Sequence, residues 1–326
     1  MIITRTPYRV SLFGGGSDMP IWYQKNLGAV VSFTIDKFCY IFCRELPPFF
    51  EFNYRLAYSK VETCSRINEI EHPALRAGIR NFTDQKVRLE IQHHGDLPAR
   101  SGIGSSSSFA VGLINALNTF SNKSFSQKDL ANQALDLEQT FIGDKVGSQD
   151  QIACTFGGIN FIEFSPNFNW RMNPIALDDN RIQEIEDRCY LVYSKISRLS
   201  SKITEVLLEG FDKKRDLITK TVDLANQGLR VLRSDSNYDE IGALLNEGWE
   251  LKKSANPSSV NSTIEQFIAD GIEAGALGAK VLGAGGGGFI LFWLKHGNKE
   301  RFRKSFTHGV EVPFKIEFKG SSVINF

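Results

Sequence analysis

Between residues 86 and 117 an alternating strand pattern, Lys86-Val87-Arg88-Leu89-Glu90-Ile91-Gln92, runs through Leu97-Pro98-Ala99-Arg100-Ser101-Gly102-Ile103-Gly104-Ser105-Ser106-Ser107-Ser108 into the apolar, helix-period segment Phe109-Ala110-Val111-Gly112-Leu113-Ile114. Two glycines two apart let a backbone turn sharply and approach a ligand. The serines at the start of the following helix are expected to satisfy orphan N–H groups, and the remaining N–H groups and the helix dipole favour an anion. Strand, glycine turn and helix together make a phosphate cradle. The plain alternative is an ordinary Gly/Ser loop ahead of a well-capped helix.

The rest of the chain narrows that choice. A length of 326 residues suggests two domains around a shared cleft. A formal net charge of +1 gives no basic stripe for nucleic acid or a membrane surface. The apolar run at 289–294 is far too short to span a bilayer. Residues 1–7 lack a basic-then-apolar leader pattern, so a cytoplasmic protein is expected. Cys39, Cys43, Cys64, Cys154 and Cys189 form no C-x-x-C pair and read as reduced, mostly buried thiols. His93 and His94, as strand neighbours, point to opposite faces and make a poor metal pair.

Residues 2–13 read as a strand interrupted by Pro7, ending in Gly14-Gly15-Gly16-Ser17-Asp18. That turn brings Arg9 and Asp18 near one another; a plain glycine loop with a surface Arg and Asp is the alternative. Residues 28–44 suggest two strands, 53–60 another, and 65–81 a helix-rich connection. Residues 128–141 carry apolar positions at helical spacing, with Asp136 and Glu138 late on the helix. Asp150 lies in an apolar and glycine-rich stretch, where a carboxylate needs a partner. A boundary is expected near 165, giving domains 1–165 and 166–326. Beyond it, 189–193, 280–282, 289–294 and 314–318 read as strands, and 200–233, 238–253 and 264–276 as helices. This second half has the pattern of an α+β domain. Gly283-Ala284-Gly285-Gly286-Gly287-Gly288 matches G-x-G-x-x-G, but a strand pattern follows where a dinucleotide fold needs a helix. A dehydrogenase is thereby disfavoured, and no G-x-x-x-x-G-K-[ST] is present.

Three glycine-rich elements in this order, Pro7 to Asp18, Pro98 to Ser108 and Lys280 to Phe289, resemble the three motifs of the galactokinase, homoserine kinase, mevalonate kinase and phosphomevalonate kinase (GHMP) superfamily. The resemblance implies an α+β fold of two domains: an N-terminal one with a left-handed βαβ crossover and a ferredoxin-like C-terminal one, with the active site between. It implies ATP and Mg²⁺. Arg100, Ser101, Gly102, Ile103, Gly104, Ser105, Ser106 and Ser107 match the nucleotide phosphate loop, with Ser106 and Glu138 as metal ligands. Asp150 resembles the catalytic aspartate of the galactokinase branch, and Arg9 the arginine facing it. Gly15, Gly16, Ser17 and Asp18, with Gly285 and Gly286 of the third element, fall on the substrate side.

Phosphoryl transfer fits these residue types, since it needs positioned phosphates, neutralised charge and an oriented acceptor hydroxyl. A free aspartate, with a pKa of about 3.9, is a weak base at neutral pH, so its positioning counts for more than its basicity. Gly14-Gly15-Gly16-Ser17-Asp18 departs from the galactokinase pattern. Together with Ser148-Gln149-Asp150-Gln151, Gly248-Trp249-Glu250 and the four glycines at 285–288, it most resembles bacterial D-glycero-D-manno-heptose 7-phosphate kinases, which act on the anomeric hydroxyl. A sugar phosphate needs a second anion site, for which Lys195 and Arg198 are the candidates; a solvated basic helix start is the alternative. The expected partner is a small-molecule sugar or sugar phosphate, and a homodimer is left open. A kinase of a free monosaccharide and a galactokinase-like sugar sensor are the competing functions.

Overall fold

The computed structural model describes residues 1–84, 86–196, 210–234 and 237–324. In chain order the first half runs β1 (Ile2–Phe13), α1 (Pro20–Tyr23), β2 (Gly28–Glu45), β3 (Tyr54–Ala57), β4 (Val61–Cys64), α2 (Pro73–Phe82), β5 (Leu89–Gly95), α3 (Ser105–Phe120), α4 (Gln127–Leu135), α5 (Gln149–Phe156), β6 (Ile159–Ser165) and β7 (Asn169–Pro174). The second half runs α6 (Asp179–Arg188), β8 (Cys189–Tyr193), α7 (Arg215–Arg233), α8 (Asp239–Ala255), α9 (Ser262–Glu273), β9 (Ala276–Val281), β10 (Phe289–Leu294), α10 (Lys299–Ser305), β11 (Val310–Glu311) and β12 (Ser322–Val323).

The first sheet is organised on β2, which is one strand rather than the expected two. It pairs with β1 along its length but changes its other partner midway, from β6 at Gly28–Phe33 to β5 at Cys39–Glu45. The break in its apolar pattern, Asp36 and Lys37, marks that change and not a chain reversal. Pro7 does not end β1. The pairing with β2 steps at Pro7/Tyr8, the kind of irregularity by which a strand absorbs a residue with no N–H. β3 and β5 pair in parallel, joined through β4 and α2, where the expected crossover lies. α3 packs on β1 and β2, with Leu113, Ile114 and Leu117 meeting Val10, Phe33 and Ile41 in the main core.

The second sheet has the order β11-β8-β10-β9, all antiparallel, which is the strand order of the ferredoxin-like β-α-β-β-α-β unit. Its own core includes Val192, Ile264, Phe267, Phe292, Phe302 and Phe306. Residues 314–318, expected as a strand, form among the described residues a single β-bridge, Ile35↔Ile316, and run back to the first sheet as a strap ending in β12. β6 and β7 form a hairpin of the first sheet, so residue 165 falls at its turn; we propose the domain division after Pro174 instead.

Candidate active site

β1, the loop before α3 and the start of α5 meet at Arg9. Its guanidinium forks onto Asp150, donating from Nε to Oδ1 at 2.6 Å and from Nη2 to Oδ2 at 2.7 Å. Its third edge donates from Nη1 to the carbonyl of Gly102 at 2.7 Å, and its backbone N–H to the carbonyl of Ile103 at 3.1 Å. One buried arginine, 3% exposed, thus fixes both the 101–104 loop and the carboxylate of Asp150, which is 21% exposed. A bidentate fork of this kind sets direction as well as attraction.

Arg100, Gly102 and Gly104 all have positive φ, winding the loop into a concavity of the sort that receives anions. The serines do not cap α3 as expected. The N-cap is Gly104, with no side-chain cap, so an external acceptor can take the first-turn N–H groups. Ser105 Oγ instead accepts from the Arg100 N–H at 3.0 Å, and Ser101 Oγ donates to the Pro98 carbonyl. Ser106 is exposed and Ser107 buried; their hydroxyls donate to the two oxygens of Glu138 at 2.8 and 2.7 Å.

Glu138 sits on a π-helical turn, Asp136–Ile142, which continues α4 and turns this carboxylate inward. It is 1% exposed, and Gln151 Nε2 adds a third hydrogen bond at 2.6 Å. Burial pushes its carboxyl above the ordinary value, the nearby Asp150 charge adds to this, and the three hydrogen bonds oppose it. Among the described residues no cluster of three or more His, Cys, Asp or Glu could hold a metal. A hydroxyl and a carboxylate, both hard oxygen donors and already in contact, do fit Mg²⁺ in the mode where phosphate oxygens and waters complete the shell.

Asp18 is buried, with Oδ1 accepting from the Gly16 N–H at 2.9 Å and Oδ2 from the Gln149 N–H at 3.3 Å. Its carboxyl is pushed up by burial and then by the charge of Asp150. Ser17, expected on the substrate side, is turned into the protein. Its hydroxyl donates to the carbonyl of Gly14 and accepts from the Ala29 N–H, so it builds the turn and presents no free face.

The third glycine loop lies against the 101–104 loop, backbone on backbone. A Cβ on Gly283 would stand 2.5 Å from Gly102 Cα, and one on Gly288 would stand 2.2 Å from the Ser101 carbonyl oxygen. Phe289 donates its N–H to that same carbonyl. Gly285 is likewise packed on Ser259, and Gly286 donates its N–H to the Ser259 carbonyl at 2.6 Å, so both lie against protein. Lys195 is exposed, with φ +62, next to the Ile196 carbonyl that accepts from Gly288. Arg198 lies outside the described residues.

Two lysines that the sequence reading quoted within motifs but gave no site role stand in the second domain, and Lys280 reaches across to the first. Lys280 donates to the carbonyls of Ser11 and Leu12 on β1, and Lys252 to those of Val281 and Gly283. Burial and the Arg9 charge pull Lys280 down to about 7, against the attraction of Asp18. Lys252 is also pulled well down, by burial and then by Lys280 and Arg9. The signal for Lys280 was present in the sequence, as a charge inside an otherwise apolar strand.

His93 and His94 pack on opposite faces, against Phe109 and Phe42. All five cysteines are free. Among the described residues no helix is long and apolar enough to cross a membrane.

Residues 68–158 match the GHMP kinases N-terminal domain and residues 228–309 the GHMP kinases C-terminal domain, together just over half of the chain. The chain is 28% identical over 304 residues to a D-glycero-alpha-D-manno-heptose 7-phosphate kinase of Campylobacter jejuni, covering 90% of this chain and 89% of that one. It is 26% identical to the bifunctional fucokinase/GDP-fucose pyrophosphorylase of Arabidopsis thaliana, over 95% of this chain but 31% of that protein. A crystal structure described as a D-glycero-D-manno-heptose 1-phosphate kinase from Bacteroides thetaiotaomicron superposes with a TM-score of 0.82 at 22% identity, covering 100% and 99% of the two chains. Fold and family matches define an ATP-dependent phosphotransferase. The chain belongs to the GHMP kinase superfamily and has its two-domain fold.

Proposed function

We propose that this kinase phosphorylates the anomeric hydroxyl of a sugar or sugar phosphate, with D-glycero-D-manno-heptose 7-phosphate, converted to the 1,7-bisphosphate, as its first candidate. The observation that carries the site assignment is the fork of Arg9 on Asp150 beside the phosphate loop. Asp150 would orient and accept the proton of the acceptor hydroxyl, and Arg9 would stabilise negative charge developing next to it. The N–H groups of residues 101–107 would cradle the nucleotide phosphates. Ser106 and Glu138 would hold Mg²⁺, which when bound neutralises phosphate charge. Lys195 and Arg198 remain the proposed anchor for a substrate phosphate.

The heptose phosphate is favoured by the 28% identical Campylobacter jejuni relative, aligned over nearly the whole of both chains. The fucokinase relative supports a second reading, a free monosaccharide as acceptor. ADP release with Mg·ATP across free sugars and sugar phosphates, mannoheptose 7-phosphate included, tests both. Selective turnover of the heptose phosphate is the expected result. Turnover of free sugars alone removes the Lys195/Arg198 anchor, and silence across the panel moves weight to a sugar sensor or to an acceptor outside it.

A further inference from the structure

Within the triple glycine after β1, two glycines have evident structural reasons. A Cβ on Gly14 would stand 1.8 Å from the Ala29 carbonyl oxygen, and Gly16 has φ +97. Gly15 has neither constraint. Its φ is ordinary, and among the described residues the one atom within 4 Å of a Cβ placed there is Gln149 Nε2, at 4.0 Å. Among the described residues, open space therefore stands over Gly15, and the Gln149 amide borders it.

Gln149 is only 8% exposed, yet its Oε1 is buried with no hydrogen-bond partner among the described residues. An amide enclosed in this way and left without a partner is costly, and natural sites retain such groups where a ligand completes them. Its backbone N–H is already held by Asp18, and the next residue is Asp150, so Gln149 stands between the two carboxylates of the cleft. The neutral amide can donate or accept by turning about its last torsion, and a hydroxyl can answer in either sense. With Asp18 and Asp150 on either side, an anionic group is disfavoured there.

We propose that Gln149 is a specificity-determining residue that hydrogen-bonds an uncharged ring hydroxyl of the acceptor, other than the reacting one, in the space over Gly15. The inference rests on the sugar-kinase function proposed above and adds that the part of the substrate beside Gly15 is a neutral polyol.

The test compares wild type with Gln149→Met, similar in size but unable to form this hydrogen bond, and with Gln149→Ala. Each is assayed on the best acceptor of the wild type and on its monodeoxy analogues. Both variants are expected to lose about fivefold to tenfold in kcat/KM for the sugar, with the KM for ATP within about twofold of wild type. On one monodeoxy sugar, and on that one alone, wild type and Gln149→Met become equal. The melting temperature of Gln149→Met stays the same or rises, because a buried unpaired amide has been removed. Sugar kinetics within twofold of wild type in both variants, or a loss of equal size on every deoxy sugar, overturns the inference while leaving the kinase function standing. A wild type silent on all sugars overturns the function and the inference together.

Discussion

Replacing Arg9 by lysine tests the centre of the site. The guanidinium makes three short side-chain hydrogen bonds, two to Asp150 and one to Gly102, from a position that is 3% exposed. An ammonium on a lysine stem is a point charge and can keep at most one of the three in that enclosed space. Hydrogen bonds to charged groups contribute about 1.5–3 kcal/mol each, and breaking a buried pair costs about 3–5 kcal/mol. Asp150 retains 21% exposure and regains part of this from water, so a loss of about 2–4 kcal/mol in unfolding free energy is expected. Turnover falls because Asp150 loses its orientation, and the KM for ATP rises because Gly102 is released. Asp150→Asn keeps the shape but not the charge, and is expected to abolish turnover while ATP binding persists. In the double-mutant cycle of Arg9→Lys and Asp150→Asn, denaturant unfolding is expected to give a coupling of about 1.5–3 kcal/mol. An additive cycle, or an Arg9→Lys protein with wild-type kinetics and stability, refutes the reasoning.

Glu138→Gln is expected to raise the Mg²⁺ concentration needed for half-maximal turnover by about tenfold or more, and an unchanged Mg²⁺ titration removes Glu138 from the metal site. Lys280→Met tests the buried ammonium by its pH signature. With a folded pKa of about 7, below its unfolded value of about 10.4, the native state binds fewer protons than the unfolded chain between those values. Wild-type stability relative to Lys280→Met therefore rises from pH 7 towards 10, and a flat difference in urea unfolding contradicts this. Gly283→Ala places a Cβ 2.5 Å from Gly102 Cα at a residue with φ +62, and is expected to cost about 2–3 kcal/mol and raise the KM for ATP; thermal unfolding and kinetics indistinguishable from wild type would show that the loop contact is soft. Arg198→Ala is expected to raise the KM for a sugar phosphate far more than for a free sugar, and equal effects dissolve the proposed anion anchor.

The elements built from local signals were legible in the sequence. The glycine-serine loop between β5 and α3 and the apolar strand β10 after Gly288 both follow from patterns a few residues long. Pairings that depend on distant partners were not. Nothing local says that Asp36-Lys37 is a change of neighbour within β2, because β5 and β6 lie far along the chain. The strap at 314–318 carries an apolar strand pattern, yet the second sheet is completed by the two-residue β11, and the strap is held instead by Thr34, Asp36 and Glu186. Helical spacing placed Glu138 on its helix but could not show the π-turn that aims it at Ser106 and Ser107. Gln149 and Gln151 stood in plain view on either side of Asp150, but an amide gives no signal of its role until its partners, or their absence, are known.

The third glycine loop resolves why a G-x-G-x-x-G pattern can occur without a dinucleotide. Gly283 and Gly288 are small because Gly102 and the Ser101 carbonyl lie against them, and Gly285 because Ser259 does. The 101–104 loop, proposed above to cradle phosphates, is thus shaped from both domains. Arg9 of β1 grips its Gly102 and Ile103 carbonyls from one side, and Gly283 and Phe289 close on Gly102 and Ser101 from the other. Lys280 ties that second contact back to β1 through the carbonyls of Ser11 and Leu12, two and three residues beyond Arg9. The loop proposed to hold the nucleotide and the arginine that forks onto Asp150 are therefore tied to the second domain through the backbone of residues 9–12 and 101–103.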